Sequence, residues 1–158
     1  MKAFWFYVGI IILLILICWY VFNYVLISEE ERVMRVLESG RRSVEAGSIF
    51  TLNNLLAANY RDSSGLDRQM VLGVLKDLFD QTKTRAVIFG PVQIELEDEH
   101  ATANVQFFFD AQLTDAHSKY QRHLSESRDD MQSIEVLLQK RKRGWEIVET
   151  RHQGIHLR

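Results

Sequence analysis

An uninterrupted apolar run near the amino terminus constrains this chain more than any other feature. It extends from Ala3 to Ile27, about 25 residues, and contains no charged side chain. At about 1.5 Å per residue, a helix of this length is longer than the roughly 30 Å hydrocarbon core of a bilayer. A domain of ordinary size rarely buries a helix that is apolar on every side. The run therefore predicts a transmembrane anchor over residues 1–28, with lipid contacts through residues 3–27.

The aromatic residues of the run support this prediction. Tryptophan and tyrosine favour the headgroup level of a membrane, and five of them flank the aliphatic middle: Trp5, Tyr7, Trp19, Tyr20 and Tyr24. The alternative is a cleaved signal peptide, whose apolar region usually has about 7 to 15 residues and ends at a small-residue cleavage site. This run is longer, and charged residues follow Ser28 at once. An uncleaved anchor is therefore expected.

The charges around the run leave the orientation of the anchor open. Lys2 precedes it and several arginines follow it, so a count of basic residues places the domain in the cytoplasm. In contrast, an anchor at the start of a chain with a short basic tail commonly keeps that tail inside. We expect a single-pass protein of an inner (plasma) membrane, with an extracytoplasmic or periplasmic domain.

Composition limits what residues 29–158 can be. Their number suffices for one domain with a hydrophobic core. The formal net charge of the chain is -2, which argues against a general nucleic-acid-binding protein because such proteins carry a strongly basic face. The only cysteine, Cys18, lies in the apolar run, so the domain has no cysteine ligand for a metal. No cofactor motif is present, and neither a cofactor nor a metal is expected.

Apolar periodicity predicts three helices in the first half of the domain. A capping box at Ser28 starts a helix over residues 29–45, and Gly47 ends it. A second helix is predicted over residues 49–58. A third begins at Asp67, because apolar residues recur on one face of the segment that follows.

Alternation with a period of two predicts antiparallel strands in the second half. Strands are predicted over residues 86–97, with a bend at Gly90, and over residues 101–113. A further hairpin is predicted from residues 134–138 and 145–149. Helices followed by antiparallel strands predict an α+β fold, in which three helices pack on a curved antiparallel sheet.

Three segments of the domain share a pattern with a known superfamily. They are VEAGSIFTLNNLLAANYRDSSG from Val44, GPVQIELEDEHATANVQFFFDAQL from Gly90 and RGWEIVETR from Arg143. They resemble the nuclear transport factor 2-like superfamily of cystatin-like, SnoaL-like cone domains. The resemblance covers about residues 30–155 and implies a cone whose inner sheet face lines a pocket. The lining residues would be Tyr60, Ala103, Val105, Phe107, Phe109 and Trp145.

The resemblance also raises the question of catalysis. Some members of the superfamily are ketosteroid isomerases or small dehydratases, whereas others only bind a ligand or a protein. Asp62 falls where the isomerases keep a carboxylate base. The hydrogen-bond donors that would face it are missing, since the first helix after the apolar run has no tyrosine. Asp62 is interpreted as an Asx-turn residue, and as a catalytic base only if the protein is an enzyme.

An interaction function accounts for these residues without a catalytic site. The outer face of the longest strand offers a polar surface with one aromatic residue, of the kind that the superfamily uses for dimerisation or docking: Thr102, Asn104, Gln106 and Phe108. The sequence predicts a non-catalytic assembly domain, an accessory or scaffold subunit of a bacterial membrane complex or a homo-oligomer. The inner-membrane scaffold of type IV secretion systems is similar in plan. The alternative is binding of a small apolar ligand in the cone, or, with less support, isomerase or dehydratase activity.

Four consecutive basic residues, Lys140 to Arg143, occupy the predicted turn between the last two strands. Such a run can bind acidic lipid headgroups or an acidic partner. A solvated turn is the more common role and is the interpretation preferred from the sequence. Whether the run reaches a bilayer depends on how the domain sits on its anchor.

Overall fold

The computed structural model describes residues 9, 11–19, 27–113 and 131–153, and residues 11–19 are helical. Within this part of the chain, no helix combines the length and the apolar character needed to cross a membrane. Much of the predicted anchor lies outside the described residues, including Trp5, Tyr7, Tyr20 and Tyr24. The anchor therefore stays a prediction.

Helix α1, Glu29–Ala46, starts directly beyond the apolar run. Ser28 is its N-cap, and the Ser28 Oγ accepts a hydrogen bond from the backbone N–H of Glu31 at 3.1 Å. This bond satisfies one of the amide groups that a helix start leaves unpaired. Gly47 ends the helix with a φ of 66°, in the left-handed region that favours glycine. The predicted cap and the predicted glycine stop are both confirmed.

Two shorter helices follow, with a strand between them. Helix α2 is Ile49–Leu55 and helix α3 is Arg68–Gln81, which Asp67 caps as predicted. Strand β1, Leu56–Asp62, occupies positions that the sequence assigned to the second helix and the turn after it. The helix predicted over residues 56–58 is wrong, because pairing with the last strand of the chain decides the backbone conformation there.

Four further strands complete a five-stranded sheet: β2 (Thr82–Glu97), β3 (His100–Leu113), β4 (Gln132–Arg141) and β5 (Gly144–Gln153). The strand order is β1-β5-β4-β3-β2. Strands β2 to β5 pair antiparallel, as predicted, and the bend at Gly90 is confirmed by a shift in register. Strand β1 runs parallel to β5, so the sheet is mixed rather than purely antiparallel. The α+β class is confirmed.

The hydrophobic core lies between α1 and the inner face of the sheet. Val33 and Leu37 of α1 are 0% and 5% exposed and belong to one buried cluster with residues of β3, β4 and β5. The sheet residues of this cluster are Ala101, Ala103, Val105, Val136, Leu138 and Trp145. Helix α1 therefore covers part of the inner face of the sheet.

Edge strand β2 is held to α1 through its free side. In the described part of the chain, no further strand pairs with that side. The Glu45 Oε1 accepts a hydrogen bond from the backbone N–H of Val87 at 3.0 Å, and the Arg41 Nη1 donates to the carbonyl oxygen of Val87 at 3.2 Å. Arg41 also pairs with Glu38 at 2.7 Å. These charged side chains stand where a neighbouring strand would otherwise bond.

Acidification is expected to weaken this attachment. A hydrogen bond from Arg41 lowers the pKa of Glu38 from 4.5 to about 2. A lowered carboxyl pKa contributes stability that is complete above the unfolded-state value and is lost as the pH falls through the folded-state value. Because Glu38 is about one-third exposed, the loss is about 1 kcal/mol or less.

The measurement is the melting temperature of the full-length protein in mild detergent between about pH 5 and pH 2. The wild type should lose more stability over this range than Glu38→Gln, which cannot titrate at this position. Equal pH slopes for the two proteins would contradict the assignment of the lowered pKa to Glu38.

Candidate functional site

Core packing occupies the middle of the inner sheet face, where the sequence predicted a pocket. Ala103 and Val105 are 0% and 2% exposed and share a buried cluster with Val33 of α1. Phe107 and Phe109 continue the same row along β3 and are only partly buried. The predicted pocket residues thus divide into a packed middle and a less buried end at the two phenylalanines.

Tyr60 lies on the inner side of β1 and is 3% exposed. Its hydroxyl oxygen is 2.5 Å from the Oγ1 of Thr150 on β5. Burial raises the pKa of the Tyr60 hydroxyl, so the group stays neutral at physiological pH. The pair ties β1 to β5 and gives a buried hydroxyl its partner.

Asp62 forms the turn after β1. Its Oδ1 accepts hydrogen bonds from the backbone N–H groups of Ser64, at 2.9 Å, and of Leu66, at 2.7 Å. The Asx-turn interpretation is therefore confirmed. A carboxylate engaged in this way is held at the edge of the sheet by two backbone amides. A catalytic base of the isomerase type would instead stand alone in an apolar pocket.

The four residues predicted as a partner surface lie in one row on the outer face of β3. They alternate with the buried residues of the same strand, so they point away from α1. Asn104 stands between Gln93 of β2 and Glu135 of β4, and Phe108 stands beside Ile88, which is 58% exposed. The row is Thr102, Asn104, Gln106 and Phe108. The outer face is thus polar at its centre and apolar at one end.

One carboxylate holds together the end of the domain nearest the apolar run. The Glu29 Oε2 accepts a hydrogen bond from the Trp145 Nε1 at 2.8 Å, and the Glu29 Oε1 contacts the Lys140 Nζ at 2.9 Å. The hydrogen bond with Lys140 lowers the pKa of Glu29. Trp145 is 6% exposed, so its N–H needs a protein partner. We call Glu29, Lys140 and Trp145 the Glu29 cluster.

This cluster was not predicted from the sequence. Trp145 was predicted to line the pocket, and Glu29 was given no role. The one available signal was chemical, since a buried tryptophan requires an acceptor for its N–H. Nothing in the sequence indicated which acid that acceptor was, because Glu29 and Trp145 are far apart in the chain.

A cleft of about 930 Å³ opens beside the Glu29 cluster. The start of α1, the end of α2, the turn between β4 and β5, and the end of the apolar run enclose it. Its charged lining comprises Arg32, Arg35, Lys140, Arg143, Glu29 and Glu146. Its apolar lining includes Ile27 and Trp19, two residues of the predicted anchor. Basic side chains and the predicted membrane segment thus border the same space.

Metal ligands do not cluster in the described residues. No group of three or more histidine, cysteine, aspartate or glutamate residues among them is placed to hold a metal ion.

Comparison with known proteins identifies the fold. No protein-family model matches this sequence, and no curated protein matches it. A nuclear transport factor 2-like protein from Cytophaga hutchinsonii is similar in structure, with a TM-score of 0.64 and 10% identity, over 82% of this chain and 100% of that one. A member of the same superfamily from Salmonella enterica has a TM-score of 0.65 and 13% identity, over 82% of this chain and 96% of that one.

A third similar structure carries the name of an enzyme. It is a candidate dehydratase of the nuclear transport factor 2-like family from Streptomyces avermitilis, with a TM-score of 0.65 and 12% identity, over 81% of this chain and 97% of that one. Identities this low bear on the fold and leave the activity aside. The domain of this chain has the nuclear transport factor 2-like, cystatin-like fold.

Proposed function

We propose that this chain is a single-span membrane protein whose domain is a non-catalytic assembly module, an accessory or scaffold subunit of a bacterial membrane complex. The observation that carries the proposal is the difference between the two faces of the sheet. Helix α1 packs on the middle of the inner face, at Ala103 and Val105. The outer face carries the row from Thr102 to Phe108, whose side chains point away from α1.

The exposed amino-terminal helix supports the membrane anchor. Residues 11–19 are apolar, helical and exposed, with Ile12 at 53% and Ile15 at 62%. Apolar surface of this extent is unfavourable in water, so lipid is its natural environment. We propose an inner-membrane location with the domain on the extracytoplasmic side.

The chemistry of Asp62 favours assembly over catalysis. Its carboxylate is committed to the backbone of the turn, through Ser64 and Leu66. Substitution of this residue should therefore change the turn rather than a reaction. Assembly through a sheet face needs only shape and hydrogen-bonding complementarity, which polar side chains such as Asn104 and Gln106 supply.

The proposal is tested by purifying the tagged full-length protein from its native membrane in mild detergent. Mass spectrometry then identifies the proteins that accompany it. The proposal expects a stoichiometric partner or a homo-oligomer. A strictly monomeric particle without a partner would count against it, and a protein that alkaline carbonate releases from the membrane would not be anchored.

Asn104→Arg is expected to disrupt the assembly while the fold persists. The longer charged side chain would stand at the centre of the outer face, where an interface excludes water and penalises an unpaired charge. We expect the partner or the second copy to be lost from the detergent particle. Lys83→Glu, which changes an exposed residue of β2, is the control and should leave the particle intact. Loss in both variants, or in neither, would remove the outer face from the proposal.

Binding of a small apolar molecule in the cone is the second candidate. Phe107 and Phe109 are partly buried beyond the packed core, and one structural neighbour is named as a candidate dehydratase. This candidate predicts that lipophilic compounds raise the melting temperature and that Asp62→Asn abolishes turnover without unfolding. An unchanged melting temperature across a panel of lipids and steroids would exclude it.

A further inference from the structure

We infer that the cleft beside the Glu29 cluster binds a membrane phospholipid with an anionic headgroup. The inference goes beyond the assembly function, and it rests on the membrane anchor that forms part of that proposal. It assigns a role to the basic turn Lys140 to Arg143, which the sequence analysis interpreted as a solvated turn.

The Glu29 cluster places the basic turn at the membrane end of the domain. Lys140 and Trp145, on either side of the turn, both contact the Glu29 carboxylate. Glu29 follows Ile27, the last residue of the apolar run, by two positions, which even an extended chain spans in about 7 Å. A span that ends at Ile27 therefore brings the basic turn to the level of the lipid headgroups.

The tip of the turn carries positive charge that the domain does not neutralise. Arg141, Lys142 and Arg143 are all exposed. Arg141 donates to the neutral amide of Asn59 at 3.3 Å. In the described part of the chain, Lys142 and Arg143 form no hydrogen bond or ion pair. These two side chains are therefore available to a phosphate group.

Nearby acids do not reverse this charge. Four basic side chains line the cleft against two acidic ones, Glu29 and Glu146, and Lys140 and Trp145 already engage Glu29. The Asp98–Glu99 turn connects β2 to β3 and adjoins β4 on the side of β3. There the carbonyl oxygen of Glu99 accepts a hydrogen bond from the backbone N–H of Lys140 at 2.7 Å. Arg35 is also paired with Glu31 at 3.0 Å, so the cleft keeps a small positive excess, with Arg143 as its basic residue at the tip of the turn.

The apolar part of the lining selects lipid over a soluble phosphate compound. Ile27, Val36 and Leu55 border the same cleft as the basic residues. Its volume of about 930 Å³ is enough for a headgroup with the adjoining part of its acyl chains. Since Ile27 belongs to the predicted span, this apolar surface is continuous with the bilayer. A phospholipid can satisfy both parts of the cleft: its phosphate contacts the basic side chains at the tip of the turn, and its acyl chains contact the apolar lining.

Native mass spectrometry of the full-length protein tests the inference. Phosphatidylglycerol or phosphatidylcholine is added at equal concentration to the same detergent micelles. We expect the wild type to retain phosphatidylglycerol in preference. The double variant Lys142→Ser with Arg143→Ser should bind phosphatidylglycerol about thirtyfold more weakly. This factor is the combined contribution of two basic residues that attract an anionic headgroup about equally.

The control is Lys76→Ser with Lys83→Ser, which changes the net charge by the same amount. Both residues are exposed. Lys83 is far from the basic turn: it follows Thr82, and Arg85 links Thr82 to Val44 at the carboxyl-terminal end of α1. This variant should bind phosphatidylglycerol as the wild type does. Equal losses in the two double variants would overturn the inference.

Three further outcomes separate the possible sources of the phosphate and the two proposals. Displacement of phosphatidylglycerol by inorganic phosphate at equal concentration would indicate that the cleft binds a soluble phosphate compound. It would overturn the inference that the cleft binds a lipid. If the protein stays in carbonate-washed membranes but binds phosphatidylglycerol and phosphatidylcholine equally, only this inference is overturned. Release by carbonate would remove the anchor and, with it, both proposals.

Discussion

Replacing Arg85 with methionine is expected to lower the free energy of unfolding by about 2–4 kcal/mol. The guanidinium group donates to the carbonyl oxygens of Val44 at 3.1 Å, of Phe79 at 3.2 Å and of Thr82 at 3.0 Å. Val44 and Phe79 lie at the carboxyl-terminal ends of α1 and α3, and Thr82 is the residue directly after α3. One side chain on β2 thus caps two helices.

The size of the effect follows from what methionine cannot replace. It fills similar space but donates no hydrogen bond, so the carbonyl oxygens of Val44 and Phe79 lose a charged donor and keep only the backbone N–H groups of Gly47 and Thr82. It also removes the cation–π contact with the Phe79 ring, whose centroid lies 4.9 Å from the guanidinium carbon, a contact that contributes about 0.5–1 kcal/mol. Tight packing around this group is visible at Gly47, where an added Cβ would lie 2.7 Å from the Arg85 Nη2.

Chemical denaturation of the full-length protein in detergent, followed by far-ultraviolet circular dichroism, measures this effect. Lys83→Met is the matched control, because Lys83 is exposed on the same strand. It should change the free energy of unfolding by less than about 0.5 kcal/mol. Similar values for the two variants would show that Arg85 does not hold the helix ends.

Trp145→Ala is expected to lower the free energy of unfolding by about 3–5 kcal/mol, the range for removing a large aromatic side chain from a core. Trp145 belongs to the main buried cluster and is 6% exposed. Its loss leaves a cavity beneath the β4–β5 turn and leaves the Glu29 carboxylate without its indole donor. The same denaturation experiment measures it.

Two milder variants separate packing from hydrogen bonding at this position. Trp145→Phe keeps most of the buried surface but removes the N–H group, so it should cost about 1–2 kcal/mol. Glu29→Ala removes the acceptor and should cost a similar amount. If Trp145→Phe matched the wild type, the hydrogen bond from Trp145 to Glu29 would contribute no stability, and only Lys140 would tie the basic turn to α1.

Local signals were sufficient to predict most of the secondary structure. Ser28 and Asp67 cap helices because their side chains accept from the backbone amides that follow, and Gly47 ends a helix because it tolerates a positive φ. The bend at Gly90 and the alternation along β3 are local as well. Each of these features depends only on residues that are close together in the sequence.

Strand β1 shows where local reasoning fails. Leu56 and Ala57 continue an apolar helical pattern, yet Leu56 pairs with Ile147 across the sheet. A parallel partner about 90 residues away leaves no trace in the periodicity of a short segment. The same limit applied to Arg85, whose carbonyl partners lie on two helices, and to Trp145, whose acceptor is at the start of α1.

The candidate site was predicted in part. The Asx turn at Asp62 and the outer row on β3 follow from turn chemistry and from strand alternation. Where a pocket was predicted, Ala103 and Val105 instead share a buried cluster with Val33 of α1, a distant contact that strand alternation does not reveal. Only the folded chain brings the basic turn to the start of α1.

Photo-crosslinking in the native membrane tests the central proposal, assembly through the outer sheet face, most directly. A photoreactive amino acid replaces Gln106, which is exposed on that face, and, in a second protein, replaces Ser64, which is exposed in the turn after β1. We predict one defined adduct from position 106, to a partner subunit or a second copy, and none from position 64. Absence of an adduct at position 106, or the same adducts from both positions, would contradict the account.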